Sequence, residues 1–278
     1  MSRREDIRVW VDGVGLLGPG LTSWAGARAL LGGKAAYESA PTVLPAPEVL
    51  PPAERRRASR IVKAALAAGL EACREAGVEP GTLANVFAAS GGDGHNCHAL
   101  CELLASGDQQ ISPTRFHNSV HNAASGYWSI ATGATPAAQV LGAYDASFAA
   151  GLLEAMNQVE ASGQPILLVA CDSEYPEPLN AKRPIQDTSA LALVLAPARS
   201  ERSIGQIRMA RRGALQECAP SGLAGSSEAL AACIQSMPAM RGLPLIQMFV
   251  MPEGIASVAI EYFAPQSLVV QVAAAEAA

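Results

Sequence analysis

Val140-Leu141-Gly142-Ala143-Tyr144-Asp145-Ala146-Ser147-Phe148-Ala149-Ala150-Gly151-Leu152-Leu153-Glu154-Ala155 is the stretch whose reading decides the architecture. Ala138 to Leu141 reads as a short strand, and Tyr144 to Ala161 as an apolar helix that follows it through a tight turn. A strand that turns at once into a buried helix implies that the helix packs back on the sheet. Asp145 falls at the amino end of that helix, where a carboxylate is a sound cap and gains from the helix dipole.

Working outward, Pro165 to Cys171 and Leu191 to Ala196 read as strands buried on both faces. Upstream, Ile7 to Val11 alternates as a strand and ends in the glycine-rich Asp12 to Gly20, read as a tight turn. Thr22 or Ser23 can cap a helix from Trp24 to Leu31. The prolines at 41, 45, 47, 51 and 52 make residues 40 to 52 a surface loop, one able to wrap a neighbour. Arg57 to Ala76 is one long helix, apolar nearly all round between Ile61 and Ala72 and therefore buried. Leu83 to Ala89 is a strand, followed by the turn Ser90-Gly91-Gly92-Asp93-Gly94. His95 to Ser106 is helical, Ile111 to Thr114 extended, and Asn122 to Thr132 helical. Past residue 200 a helix over 226–236 and strands over 245–251, 256–263 and 268–272 are expected. Strands alternating with helices argue for an α/β sheet covered on both faces.

The chain has 278 residues, of which 50% are hydrophobic and 16% charged, with net charge -5. That balance offers no electrostatic case for nucleic acid or an anionic membrane surface. No apolar run reaches the roughly 18 residues of a membrane span. Six cysteines without a framework spacing fit a reduced, cytoplasmic setting, which is the expectation. The one dense basic run, Arg55-Arg56-Arg57 with Arg60 and Lys63, is either a solvated helix face or a docking patch for an acidic carrier protein.

Several segments, in order, resemble the N-terminal half of a β-ketoacyl synthase of thiolase fold over roughly residues 6 to 197. Val11-Asp12-Gly13-Val14-Gly15-Leu16-Leu17-Gly18-Pro19-Gly20 is similar to that family's opening V-T-G-x-G-x-x-S-P-x-G. Phe87-Ala88-Ala89-Ser90-Gly91-Gly92 is similar to its second-strand glycine turn, and Gln186 to Leu195 to the small-residue run that closes the first half. In that family the turn before the buried helix reads A-C-x-S, and here Asp145 stands where the nucleophilic cysteine would be. A carboxylate does not readily accept an acyl group from a thioester, because the anhydride lies higher in energy. The family's two histidines belong to V-E-A-H-G-T-G-T and G-H-x-x-G-A-A-G motifs of the second half. All four histidines of this chain lie between 95 and 121.

The resemblance therefore implies a layered α/β/α fold truncated in its C-terminal half. Residues 1–200 would form the ketosynthase-like domain, with 201–278 a shortened portion packed on it. Phe116-His117-Asn118-Ser119-Val120-His121-Asn122 and the length look most like the truncated chain-length factors of aryl polyene and xanthomonadin-type clusters. Such a subunit pairs with an active ketosynthase and shapes its acyl tunnel. Phe116, His117, Asn118, His121, Tyr144 and Phe148 are the expected tunnel or interface residues. An active ketosynthase or a second copy, and an acyl carrier protein, are the expected partners. No cofactor is expected.

Rival readings stay open at this point. His95, His98 and Cys101 share a helical face in the run His95-Asn96-Cys97-His98-Ala99-Leu100-Cys101 and can be read as metal ligands, against plain helix packing. Ser90 or Ser147 with His117 or His121 and Asp145 can be read as a hydrolase or acyltransferase set, although no G-x-S-x-G elbow exists. Gly13-Val14-Gly15-Leu16-Leu17-Gly18 fits a dinucleotide fingerprint, but proline follows where the phosphate-binding helix should run, and a tight turn explains the glycines. A homodimeric scaffold that binds carrier protein alone is the remaining alternative.

Overall fold

A computed structural model describes residues 6–107, 110–251 and 254–275. Its elements in chain order are β1 (Asp6–Leu17), α1 (Trp24–Leu31), α2 (Pro52–Arg57), α3 (Arg60–Ala76), β2 (Ala84–Ala88), α4 (Gly94–Ala105), α5 (Pro113–His117) and α6 (Ala123–Thr132). There follow β3 (Ala138–Leu141), α7 (Ser147–Ser162), β4 (Ile166–Asp172), α8 (Leu179–Lys182), β5 (Ser189–Ala196), β6 (Gly205–Ala210) and β7 (Leu215–Glu217). The last are α9 (Glu228–Ser236), α10 (Leu243–Gln247), β8 (Ile255–Glu261) and β9 (Gln266–Ala274).

One mixed sheet runs in the order β3-β2-β4-β5-β1-β6-β9-β7, with β8 on the other side of β9. β2 is parallel to β3 and β4, and the remaining pairs are antiparallel. The first five strands are sandwiched. On one face Ile166, Leu168 and Ala170 of β4 meet Phe148, Leu152 and Met156 of α7. On the other, Leu167, Val169 and Cys171 meet the alanines of α3 and Trp128 of α6. This two-sided burial accounts for the uninterrupted apolar runs of β4 and β5. Beyond β1 the sheet continues into β6, β9 and β8, whose inward residues Ile207, Val270, Val272, Val258 and Ile260 join the α7 core.

Of the glycines after Val11, Gly13 and Gly15 are not in a turn, and the chain turns only at Gly18-Pro19-Gly20-Leu21. β1 runs through Gly13 and Gly15 to Leu17, with one bulge between Val11 and Gly13. A Cβ on Gly13 would lie 2.1 Å from the Ala72 carbonyl oxygen, and one on Gly15 1.9 Å from that of Ala68. Strand and helix backbones touch here, which only residues without side chains allow. The same facts dispose of the dinucleotide fingerprint, because its first two glycines lie inside a strand.

Other expectations are corrected by packing. The helix expected over 57–76 is two helices, broken at Ala58-Ser59, and the Asn118 side chain donates to the freed Arg57 carbonyl at 3.1 Å. Ser112-Pro113 opens helix α5 rather than an extended segment, with the Ser112 hydroxyl accepting from Arg115 N–H. The run 245–251 lies largely in helix α10 and the turn after it, not in a strand. The helix expected from Tyr144 starts at Ser147, after a single 3-10 turn over Tyr144–Ala146. The proline-rich loop lies on its own body: Thr42 bonds Asp187 and Thr188, and Leu50 is buried.

Gly15→Ala should lower stability by about 3 kcal/mol, the upper end of the overpacking range. Gly126→Ala, on α6 with open space around it, should instead raise stability by about 0.8 kcal/mol. Urea unfolding midpoints of both variants check the pair.

Candidate functional site

The elbow between β3 and α7 is built from a strained residue and a charge network. Tyr144 has φ of 54°, a conformation that side chains other than glycine rarely adopt, and its ring is 59% exposed. The Ser147 hydroxyl closes the turn, donating to the Tyr144 carbonyl at 2.7 Å and accepting from Ala143 N–H at 3.0 Å. Asp145 makes no helix cap, since α7 is capped at Ala146 without a side-chain bond. Its Oδ1 instead takes Arg183 Nη2 at 3.0 Å and its Oδ2 takes Arg241 Nη2 at 3.2 Å. Arg241 also pairs with Glu261 and donates to the Gln235 carbonyl. Arg183 lies over the Tyr144 ring at 3.5 Å.

Asp145 is therefore an anion held between two largely buried guanidiniums. Burial works against the charge of Arg183, but the hydrogen bond and charge of Asp145 outweigh it and hold the guanidinium above its ordinary pKa. Charge-assisted bonds of this kind fix side-chain orientation. At this elbow the carboxylate is spent on structure, and no thiol is there to take up an acyl group.

A second buried carboxylate ties the neighbouring segments together. Asp172, at the end of β4, accepts from Ser90 N–H at 2.8 Å and Ser90 Oγ at 2.5 Å through one oxygen. Its other oxygen accepts from Ala239 N–H at 3.0 Å, anchoring the turn that carries Arg241. Burial raises the Asp172 pKa from the ordinary 3.8 to about 6, outweighing the Ser90, Ala239 and Arg183 contributions that lower it.

The sequence-derived candidates fall into separate groups. Phe116, His117, Val120 and His121 are exposed on α5 and the loop after it. His117 meets Tyr127 edge-on, and His121 Nε2 sits 3.2 Å from the Ala89 carbonyl. The space beside His121, Phe87 and Val140 amounts to about 10 Å³, room for about one water and not for an acyl chain. Asn118 is buried, accepting from the Tyr127 hydroxyl and donating to Arg57, so its contacts are structural. Phe148, expected on a tunnel wall beside Tyr144, is wholly interior, where a Cβ on Gly242 would fall 2.3 Å from its ring. Leu104 of α4, Phe116 of α5, Ile130 of α6 and Val120 in the loop after α5 are large apolar side chains left exposed. Among the described residues β3 pairs only with β2 and stands at the end of the sheet.

The catalytic and metal alternatives are not assembled. Ser90 donates to Asp172 and Ser147 to a main-chain carbonyl, neither to a histidine. His95 faces Glu174 at 3.6 Å and His98 faces Glu102 at 3.2 Å, so the two imidazoles and Cys101 do not converge. Among the described residues no three potential ligands come together for a metal ion. In the basic run, Arg55 holds the Glu48 and Leu50 carbonyls and Arg57 pairs with Glu54, while Arg56 is exposed. Among the described residues no helix is long and apolar enough to cross a membrane.

Sequence reasoning missed Arg183, Arg241, Glu261 and Asp172. They meet only through the fold, and no local motif marks them.

The family described as beta-ketoacyl synthase, N-terminal domain, matches residues 24–241. Among solved structures, a ketosynthase (ApeO) in complex with its chain length factor (ApeC) from Xenorhabdus doucetiae matches with TM-score 0.69 at 20% identity, over 95% of this chain and 98% of that one. The ishigamide ketosynthase/chain length factor matches with TM-score 0.68 at 12% identity, over 96% and 99%. A type II acyl-carrier protein in complex with its ketosynthase bound to the hexaketide, AntDE:AntF, gives TM-score 0.54 at 16% identity, over 68% and 62%. At these identities the likeness is one of fold. No protein of curated function matches the chain.

Asp172→Ala should cost about 2 kcal/mol by leaving the Ser90 and Ala239 donors unpaired. The sign of the pH effect follows from the raised pKa. Between about pH 4 and pH 6 the folded protein keeps a proton that the unfolded chain has released, so this group's contribution falls as pH rises. Wild type should lose stability across that window relative to Asp172→Ala, as read from urea midpoints at a series of pH values.

Proposed function

This chain belongs to the beta-ketoacyl synthase N-terminal domain family, and from that premise we propose that it is a non-condensing, chain-length-factor subunit. The observation that carries the reading is the elbow. Where an active member places its cysteine, this chain places a carboxylate locked by Arg183 and Arg241. An anion so held neither attacks a thioester nor leaves room for an acyl group, so the chemistry must belong to another subunit.

That subunit is an active ketosynthase, docked over the free edge of β3 and the exposed side chains of Leu104, Phe116, Val120 and Ile130. Two further points support the pairing. Exposed apolar patches rimmed by polar residues mark interaction surfaces, and an unpaired strand edge is a ready template for another chain. Two of the solved structures similar to this chain are ketosynthase and chain length factor assemblies. The contribution of this subunit is shape: Phe116, His121 and Tyr144 border a growing acyl chain carried on an acyl carrier protein, and Arg56 adds a cation for that acidic carrier. The product is of the polyene or fatty-acid-like polyketide class, made in the cytoplasm.

Co-expression with a ketosynthase from the same gene neighbourhood, followed by size exclusion with light scattering, should give a one-to-one complex. Two separate peaks, with this chain a self-sufficient homodimer, would sink the reading. In a reconstituted pair, Tyr144→Ala and Phe116→Ala should shift the product toward longer or mixed chain lengths while the complex still forms. Unchanged products from both variants remove these residues from the tunnel.

A further inference from the structure

The hairpin that joins β8 to β9 is tied to the elbow, and the reading above leaves it unused. Glu261, the last residue of β8, pairs with one terminal nitrogen of Arg241, while the other terminal nitrogen takes Asp145 at 3.2 Å. The carboxylates of Asp145 and Glu261 are therefore separated by no more than one guanidinium and its two contacts. The Arg241 side chain is only 12% exposed, and a guanidinium so buried needs its counter-charges. Were the hairpin to swing away, Arg241 would be left with Asp145 alone, which Arg183 already shares.

The tip of the hairpin is held as firmly as its root. Tyr262 N–H donates to the Gln266 carbonyl at 3.1 Å, and Gln266 N–H to the Phe263 carbonyl at 2.9 Å. Tyr262 packs on the α7 core, and the Phe263 ring stands edge-on against it with centroids 4.7 Å apart. That is a favoured geometry for an aromatic pair. Phe263 is nonetheless 53% exposed. A lone exposed apolar residue is ordinary on a protein surface. What sets this one apart is its anchor, which is the network that also fixes Tyr144. Arg183, stacked on the Tyr144 ring at 3.5 Å, bonds the same Asp145. Two exposed aromatic rings, one before α7 and one after β8, are thus fixed to a single charge network.

We propose that Phe263 is a second chain-length determinant and that Glu261 is the residue that positions it. The inference rests on the preceding reading, in which Tyr144 borders the growing acyl chain. It gives residues 201–278 a task of their own, to supply a wall of the acyl-facing surface that residues 1–200 do not carry. An apolar chain is the fitting occupant, because the Phe263 ring offers contact area, carries no hydrogen-bonding group and is already ordered before anything binds.

The test uses the reconstituted pair with a ketosynthase, reading complex formation by size exclusion and product length by mass spectrometry. Phe263→Ala should shift products to longer chains and Phe263→Trp to shorter ones, opposite displacements that a merely structural residue does not produce. Glu261→Gln should reproduce the shift of Phe263→Ala, and Glu261→Asp, which keeps the charge, should restore the wild-type distribution. Ile255→Ala, which truncates an exposed side chain at the far end of β8, should change nothing. Circular dichroism checks that each variant is folded. Unchanged products from both Phe263 variants, in a complex where Tyr144→Ala does shift them, overturn this inference and leave the reading standing. Wild-type products from Glu261→Gln remove its positioning role. Absence of a complex with the wild type overturns the reading itself, and this inference with it.

Discussion

The contact on which the rest of this structure depends is between two backbones. Gly13 and Gly15 of β1 lie directly under Ala72 and Ala68 of α3, with no room for a side chain between them. Close approach lets the alanine face of α3 cover β1, β5 and β4 together, and leaves the opposite face of the same strands to α7. Trp128 fills the remaining space by lying against Gly69, the next small residue of α3. With the sheet held from both sides, the ends of β2, β3 and β4 come to fixed places, and they lead into Ser90, the turn Tyr144–Ser147 and Asp172.

At the elbow the fold keeps its geometry and changes its chemistry. The strained Tyr144 and the hydroxyl of Ser147 hold a tight turn of the kind that would present a nucleophile at the start of a buried helix. Beside them the Asp145 carboxylate binds two guanidiniums, from the segment after β4 and from the turn before α10. Asp172 keeps that second turn in register through Ala239, at the cost of burying a carboxyl whose pKa has risen toward neutrality. The elbow and Asp172 thus form one unit, linked through the short segment Pro238–Gly242.

How much of this was legible in the chain depends on the range of the interactions. β4 and β5 read correctly because two-sided burial leaves an unbroken apolar run, a property of the segment itself. The glycines of β1 read as a turn because their reason lies on α3, far away in sequence. The run 245–251 is short and apolar, and such runs are shared by buried strands and buried helices. The family was legible from ordered motifs, and Asp145 was found because it replaces an expected residue. Its arginine partners were not, since Arg183 and Arg241 acquire meaning only when the fold brings them to one carboxylate. Phe148 lies in the interior against Gly242, a contact between distant segments that no local pattern marks.

The locked elbow also has an evolutionary side. In an active ancestor a cysteine at position 145 would coexist with neighbours that tolerate a small neutral thiol. Once a carboxylate occupies the position and two guanidiniums settle around it, each of the three supports the others. Loss of the carboxylate alone would leave Arg183 largely buried and short of a counter-charge, while Arg241 would keep only Glu261, an intermediate worse than either end point. The change works as a ratchet. On the proposed reading, a subunit that has crossed it depends on another chain for chemistry and evolves further only in surface and shape.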